Sequence, residues 1–240
     1  MRLITVLISL GVEHFYPQLA KWRDDNWWSN YQGWWAKHLA ATNWWNAITA
    51  ILFPLLPIMI AVILVRCLLG TLLFGLFGYL FDAIVLWYLL RNTWITEPQY
   101  DGAVFCRAHE QRFAILFWFF VLGIWAAVLY RVVSWMVNNA KDENSPYYAT
   151  LSLLTQSHQL IAWIPARLTA LSYALVGNFT PAFSIWQQQA WQKGGNSELL
   201  INCGEAALEE QDNNAVELLI KRVLLLWLLA LALVTIGMLV

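Results

Sequence analysis

The chain has 240 residues, 60% of them hydrophobic and only 12% charged, with a formal net charge of −1. Soluble domains are about 25% charged, so too little charge is present here for a water-facing surface, and the near-neutral balance excludes a dedicated partner of nucleic acid. The sixteen Trp and nine Tyr are residues that favour the headgroup level of a bilayer.

At the N-terminus Arg2 precedes an apolar run from Leu3 to Val12. Its length is that of a signal h-region, but Glu13, His14, Phe15, Tyr16 and Pro17 follow without an A-x-A cleavage site. Residues 3–16 are therefore expected as a retained helix that is only partly embedded. Segment 17–46 carries Trp27-Trp28, Trp34-Trp35 and Trp44-Trp45. Helical spacing gathers Trp27, Tyr31, Trp34, His38, Ala41 and Trp45 on one face, with Asp24, Asp25 and Lys37 on others. This predicts an interfacial helix with its rings at headgroup depth; an aromatic ligand platform is the functional alternative.

A hydrocarbon core about 30 Å thick needs about 20 apolar residues of helix. Residues 47–65 carry no charge, and 72–90 carry one, Asp82. With a tight turn over 66–71 they predict a helical hairpin whose first arm is kinked at Pro54 and Pro57. Two further spans are expected, at 113–130 between Arg112 and Arg131, and at 223–240 after Lys221-Arg222. The expected fold class is an all-α membrane protein: about four transmembrane helices, a short N-terminal membrane helix, and interfacial or re-entrant amphipathic helices. Because backbone groups in lipid need partners within the protein, and no spanning-strand pattern is present, helices are the remaining solution.

The long connection 131–222 is read as an elaborated loop of a single membrane domain, 1–240. Pro165 can open a helix there and Gly177 can close it in a left-handed cap, giving an element too short to span. Lys193 to Asn196 reads as a polar loop, and Glu205 to Lys221 as an acidic helix with Glu209, Glu210, Asp212 and Glu217 on a solvated face. Basic residues divide almost evenly between the two sides of a four-span arrangement, so they do not set its orientation.

Chemistry-bearing motifs are sparse. Cys67, Cys106 and Cys203 share no C-x-x-C spacing. His14, His38, His109 and His158 form no H-x-x-x-H or H-E-x-x-H pair. No phosphate-binding glycine loop or G-x-S-x-G elbow occurs. No metal, cofactor or catalytic residue is expected on these grounds. Gly75 and Gly78 lie inside a predicted span, where small residues let helices approach closely.

Two charges stand out. A carboxylate at mid-span costs about 2.5–3.5 kcal/mol on insertion scales, so Asp82 should pair with Arg112, Arg131 or Arg167, or be neutral; a structural ion pair and a functional acid are equal alternatives for it. Arg167 cannot shed its charge, so in an apolar setting it needs a carboxylate, phosphate or carbonyl partner. Glu13 and Asp82 are the expected partners within the chain, with His158 adding a hydrogen bond. Arg167 would either tie its helix to the bundle or hold an anionic small molecule or lipid headgroup; a snorkelling side chain is the simpler alternative. Arg131 completes the expected site set of Arg167, His158, Asp82, Glu13 and Arg131.

The stretch Trp163-Ile164-Pro165-Ala166-Arg167-Leu168-Thr169-Ala170-Leu171 resembles the W-[IV]-P-x-R-L-x-x-L segment of the AmpE family and of its relatives, the CobD/CbiB cobalamin-biosynthesis proteins. Phe113 to Gly123, followed by Val128-Leu129-Tyr130-Arg131, is similar to their shared span ending in a Tyr-Arg pair. Ser172 to Phe179 with Phe183 and Trp186, and Asn202 to Leu208, resemble the AmpE continuation. The likeness is clearest from 113 to 208. It implies an inner-membrane regulator of β-lactamase induction linked to cell-wall recycling.

The cobalamin relatives instead join an amino-alcohol phosphate to a corrinoid carboxylate using ATP, and carry a D-D-x-x-N pattern before the W-I-P-x-R segment. Here His158, Gln159 and Ala162 stand at the matching positions. The carboxylate oxygens that a magnesium nucleotide requires are absent there, which the resemblance reads against ligase chemistry. A membrane enzyme of ligase or transferase type, and a structural subunit docking on another membrane protein, are the competing readings. The lipid bilayer is the implied partner in each case; a membrane-protein partner or a second copy is compatible with all three.

Overall fold

The computed structural model describes residues 2–16, 18–19, 26–39, 47–71, 75–91, 101–143, 145–192, 195–208 and 212–237, and no strand occurs among them. The helices are, in chain order, α1 (Arg2–Phe15), α2 (Asn26–Leu39), α3 (Ala47–Gly70), α4 (Leu76–Leu89), α5 (Ala103–Ala108), α6 (Ala114–Leu122), α7 (Ile124–Ala140), α8 (Leu151–Val176), α9 (Phe179–Gln189), α10 (Asn196–Ala207) and α11 (Asn213–Gly237). A wider π turn, His109–Phe113, joins α5 to α6. The protein is thus an all-α membrane protein. Among the described residues three helical segments are long and apolar enough to cross a bilayer: Ile48–Gly70, Tyr148–Val176 and Asn213–Gly237, with Leu76–Leu89 a shorter apolar helix.

This set differs from the expected spans: 72–90, expected to cross, holds only the 14-residue helix Leu76–Leu89, and two other segments depart as well. The run 113–130 is not one helix. Gly123 adopts φ +99° and ψ −170°, so α6 ends at Leu122 and α7 starts at Ile124. Positive φ is open to glycine and costly for other residues; hydropathy alone does not register such a break.

The segment read as a short helix from Pro165 to Gly177 is the C-terminal half of α8, which has 26 residues with Pro165 inside it. At 1.5 Å per residue α8 measures about 39 Å, ample for a bilayer. An interior Pro costs about 3 kcal/mol, and what opposes that cost is burial: Leu154, Ala162, Ala166, Ala170, Tyr173 and Ala174 are all in the core. Gly177 is not left-handed, since positive φ occurs only at Gly75 and Gly123 among the described glycines. Its lack of a side chain serves packing, because a Cβ there would collide with the backbone and Cβ of Ala207.

The expected acidic helix 205–221 is likewise divided. Leu208 is extended (φ −82°, ψ +142°) and ends α10, and α11 starts at Asn213, so Lys221 and Arg222 lie inside the last apolar helix rather than before it. Expectations for Asp24, Asp25, Trp44, Trp45, Lys193, Glu209, Glu210 and the end of the last span at 238–240 fall outside the described residues.

The chain separates into two compact units, Met1–Leu89 with Val121–Leu160, and Leu90–Phe120 with Ile161–Val240. In the first, α1 packs on α4 through a narrow stripe of Thr5, Val6, Ser9 and Glu13. The Ser9 hydroxyl lies 2.9 Å from the Thr5 carbonyl and 3.0 Å from that of Ala83. The opposite face of α1 leaves Ile4, Leu7 and Ile8 exposed, as suits an apolar environment. On α2, Trp27 and Trp34 are 42% and 51% exposed while Trp28 is 1% exposed, its ring 5.7 Å from those of both Tyr31 and Trp135. α3 and α4 form a hairpin as expected, but α3 stays helical to Gly70, through most of the expected turn at 66–71, and α4 starts at Leu76.

The second unit is built on small residues. Ala166, Ala170 and Ala174 recur every fourth position of α8 and are fully buried, which permits close helix approach. Phe105, Phe113, Tyr173, Leu199, Ile220 and Val223 fill the core around them. Gly204 admits the Phe105 ring, which a Cβ would strike, and the Tyr173 hydroxyl donates to the Phe105 carbonyl at 3.3 Å.

Gly123 offers a clean test, because no atom lies within 4 Å of where its Cβ would be. Gly123→Ala should therefore destabilise through backbone conformation alone, by about 1–2 kcal/mol. Thermal unfolding in detergent would measure it, and a variant as stable as the parent would mean that the α6–α7 break does not need positive φ.

Candidate functional site

The W-I-P-A-R segment lies near the middle of α8, and its arginine is heavily engaged. Arg167 is 7% exposed. Its Nε donates to the Ala190 carbonyl at 2.8 Å, Nη2 to the Gln192 carbonyl at 3.0 Å, and Nη1 to the Trp163 carbonyl at 3.1 Å and to the Asn196 side-chain oxygen. The guanidinium lies over the Trp163 ring, 4.4 Å from its centroid, and the Trp186 indole N–H donates to the backbone carbonyl of Arg167 at 3.0 Å. A guanidinium has five N–H donors, so these four bonds leave one.

The arrangement follows from the local sequence. Ala190 is the residue after α9, and Gln192 follows it; Asn196 opens α10. Carbonyls at a helix C-terminus lack partners and carry the negative end of the helix dipole. They therefore meet the charge of Arg167 without a carboxylate. One planar cation on α8 thereby fixes the end of α9 and the start of α10. A second link, from the Asn202 side-chain amide to that of Gln189 at 3.1 Å, ties the same two helices.

Around this point the unit is closed by further polar pairs. His109 Nδ1 lies 3.1 Å from the Thr169 hydroxyl, and Thr169 donates to the Pro165 carbonyl at 2.8 Å. The Trp227 indole donates to the Ser172 hydroxyl at 2.9 Å. The thiol of Cys106, on α5, donates to the Ser197 carbonyl, and burial pushes it up to about 12. Burial likewise raises the Cys203 thiol to about 12, so neither behaves as a ready nucleophile at neutral pH.

The other expected site residues, Glu13, Asp82, Arg131 and His158, belong to the first unit. Asp82 is paired with Arg66, not with Arg112, Arg131 or Arg167: Arg66 Nε lies 3.0 and 2.9 Å from its two carboxylate oxygens. Gly78 makes this possible, since a Cβ at that position would strike the Arg66 guanidinium. Arg66 also lies 5.5 Å from the Tyr79 ring centroid.

Sequence reading passed over Arg66, although the hairpin holds the signal. Arg66 lies four residues before the end of α3 and Asp82 six residues after the start of α4, so the two arms bring them within reach. Glu13 is buried on α1, which packs against the helix of Asp82. Arg131 is buried with its guanidinium 5.1 Å from the Trp135 ring centroid. His158 lies beside Tyr130, ring centroids 5.3 Å apart. Among the described residues no group of three or more His, Cys, Asp or Glu is arranged to hold a metal ion.

No protein-family model matches the chain, and no solved structure matches it. Part of it is similar to curated proteins. The cobalamin biosynthesis protein CobD of Chromobacterium violaceum is 37% identical over 78 residues, 32% of this chain and 25% of that protein. The cobalamin biosynthesis protein CobD of Stutzerimonas stutzeri is 37% identical over 83 residues, 32% of this chain and 26% of that protein. The matched stretch thus spans about a quarter of the length of these relatives. The similarity supports a CobD/CbiB-like relationship for this membrane protein.

Two outcomes follow from the ion pair and the arginine knot. Arg66→Leu strands the Asp82 carboxylate in an apolar helix, so it should destabilise more than the double variant Arg66→Leu/Asp82→Leu, by about 1–3 kcal/mol in detergent unfolding. Equal stabilities would mean that the pair is not a buried one. Arg167→Lys keeps the charge but loses the fork, and should lower stability by about 2–4 kcal/mol, with Asn196→Ala about half as costly. An Arg167→Lys variant with the parent's unfolding midpoint would remove Arg167 as the clamp of α8, α9 and α10.

Proposed function

We propose that this protein is an inner-membrane regulatory or sensory protein of AmpE type, modulating β-lactamase induction in connection with cell-wall recycling. The carrying observation is the state of the W-I-P-A-R segment. Its arginine is turned onto protein carbonyls and an asparagine, with one N–H left over. A guanidinium so engaged cannot offer the bidentate fork by which arginine grips a phosphate.

The two helical turns before it support the same reading. His158, Gln159 and Ala162 stand there on α8, so this stretch supplies no carboxylate oxygens for a magnesium nucleotide. In this reading the W-I-P-A-R segment is a structural keystone. What it stabilises is the packing of α8 to α10, a membrane-embedded form that can be recognised by a partner or shifted by a signal.

The second reading is a membrane-bound ligase or transferase related to adenosylcobinamide-phosphate synthase. It is favoured by the 37% identity to two CobD proteins over about a third of the chain. Paired complementation separates the two. The chain would be expressed in a bacterium with an inducible chromosomal β-lactamase but lacking its own AmpE, and in a bacterium lacking CobD and grown on cobinamide. Restored β-lactamase inducibility without cobalamin-dependent growth is the expected result. Rescue of growth would overturn the regulatory reading in favour of the ligase, and failure in both hosts would remove both.

A further inference from the structure

Within the second unit α8 and α11 leave a seam that their side chains do not close. At one end is a cavity of about 380 Å³ whose lining includes Gly177, Asn178, Ala207, Leu218, Leu219 and Arg222. Beside it is an apolar groove of about 350 Å³ whose lining includes Leu168, Leu171, Leu175, Leu226, Trp227 and Ala230. The α11 positions 215, 218, 219, 222, 226 and 230 share one helical face, as do 168, 171, 172, 175 and 176 of α8. The two hollows therefore lie end to end along the same pair of helices. The first is polar at its mouth and the second almost wholly apolar.

The polar end is charged and its groups are not engaged. Arg222 is exposed, and no hydrogen bond or ion pair holds it among the described residues, whereas Lys221 beside it is bound to Glu217. The Asn178 side chain does not cap α9 although it occupies the cap position. Among the described residues no acidic side chain lines the cavity, so these residues present a cation and an amide and no carboxylate for an ammonium. Arg222 also stands at the start of the apolar run Val223–Gly237 of a helix fit to cross the bilayer. From there to Ala230 the groove runs about 12 Å along the helix axis, toward hydrocarbon.

We propose that this seam binds one anionic phospholipid, its phosphate against Arg222 and Asn178 and one acyl chain along the groove between Leu171 and Ala230. Charge selects the headgroup, because a zwitterionic lipid would bring an ammonium with no carboxylate to receive it. The groove selects a lipid over a free anion, because only an amphiphile covers both hollows. This site is independent of the regulatory reading above and of Arg167.

Native mass spectrometry of the full chain released from detergent tests it, with dioleoyl phosphatidylglycerol, dioleoyl phosphatidylcholine and inorganic phosphate as probes. Phosphatidylglycerol should bind one per chain, about fivefold or more tighter than phosphatidylcholine. Arg222→Ala should bring the two lipids level. Ala230→Trp, which fills the groove, should weaken both lipids several-fold. Equal binding of the two lipids to the parent chain, or a preference that survives Arg222→Ala, would overturn the proposal. So would inorganic phosphate displacing phosphatidylglycerol completely, which would make the cavity a free-anion site. If Arg222→Ala does not fold, Arg222→Lys keeps the charge and must keep the preference; its loss there would also overturn the site.

Discussion

A guanidinium stays charged inside a protein, and most of the second unit is arranged around that fact. Arg167 sits on an apolar helix with no carboxylate among its partners. Its charge is met by carbonyls that the end of α9 leaves unsatisfied and by the side chain that opens α10. Each half solves the other's problem: a buried cation needs acceptors, and a helix end needs donors. The connection between α9 and α10 is fixed by this exchange, and with it the position of α10 against α5, through Gly204 under Phe105 and Cys106 on the Ser197 carbonyl.

The first unit solves the matching problem for a carboxylate by other means. Asp82 would be costly at mid-helix in lipid, and a hairpin gives it an arginine on the opposite arm. The pair works because Gly78 leaves room for the guanidinium. A small residue that looks like a helix-packing glycine is therefore also a space for a charge. Here the two members neutralise one another, whereas Arg167 is neutralised by backbone dipoles.

This distinction bears on function. In a ligase that handles nucleotide, arginines and carboxylates must be left free to meet phosphate and metal. The W-I-P-A-R arginine here has one N–H unspent, and the α8 positions before it are neutral. The partial likeness to CobD proteins relates this chain to a CobD/CbiB-like membrane scaffold. Among the described residues Arg222 is a cation with no hydrogen bond or ion pair, and it stands at the head of the apolar run of α11.

The composition alone established a membrane protein made of helices, because a chain this poor in charge cannot face water and backbone groups in lipid must bond locally. The hairpin of α3 and α4 was legible from its run lengths, and Arg167 and Asp82 from the cost of burying charge. Three things were not. The break at Gly123 depends on a single backbone angle, invisible to hydropathy. The continuity of α8 through Pro165 depends on buried Ala166, Ala170 and Ala174, whose packing outweighs a local preference that sequence reading weighs alone. The partners of the two charges depend on which elements meet: Arg66 reaches Asp82 across a turn, and Arg167 reaches carbonyls that exist as free acceptors only because α9 ends at Gln189. A sequence shows that a buried charge must be satisfied, but the satisfying atoms are mostly backbone, and backbone acceptors carry no residue identity by which they could be read in advance.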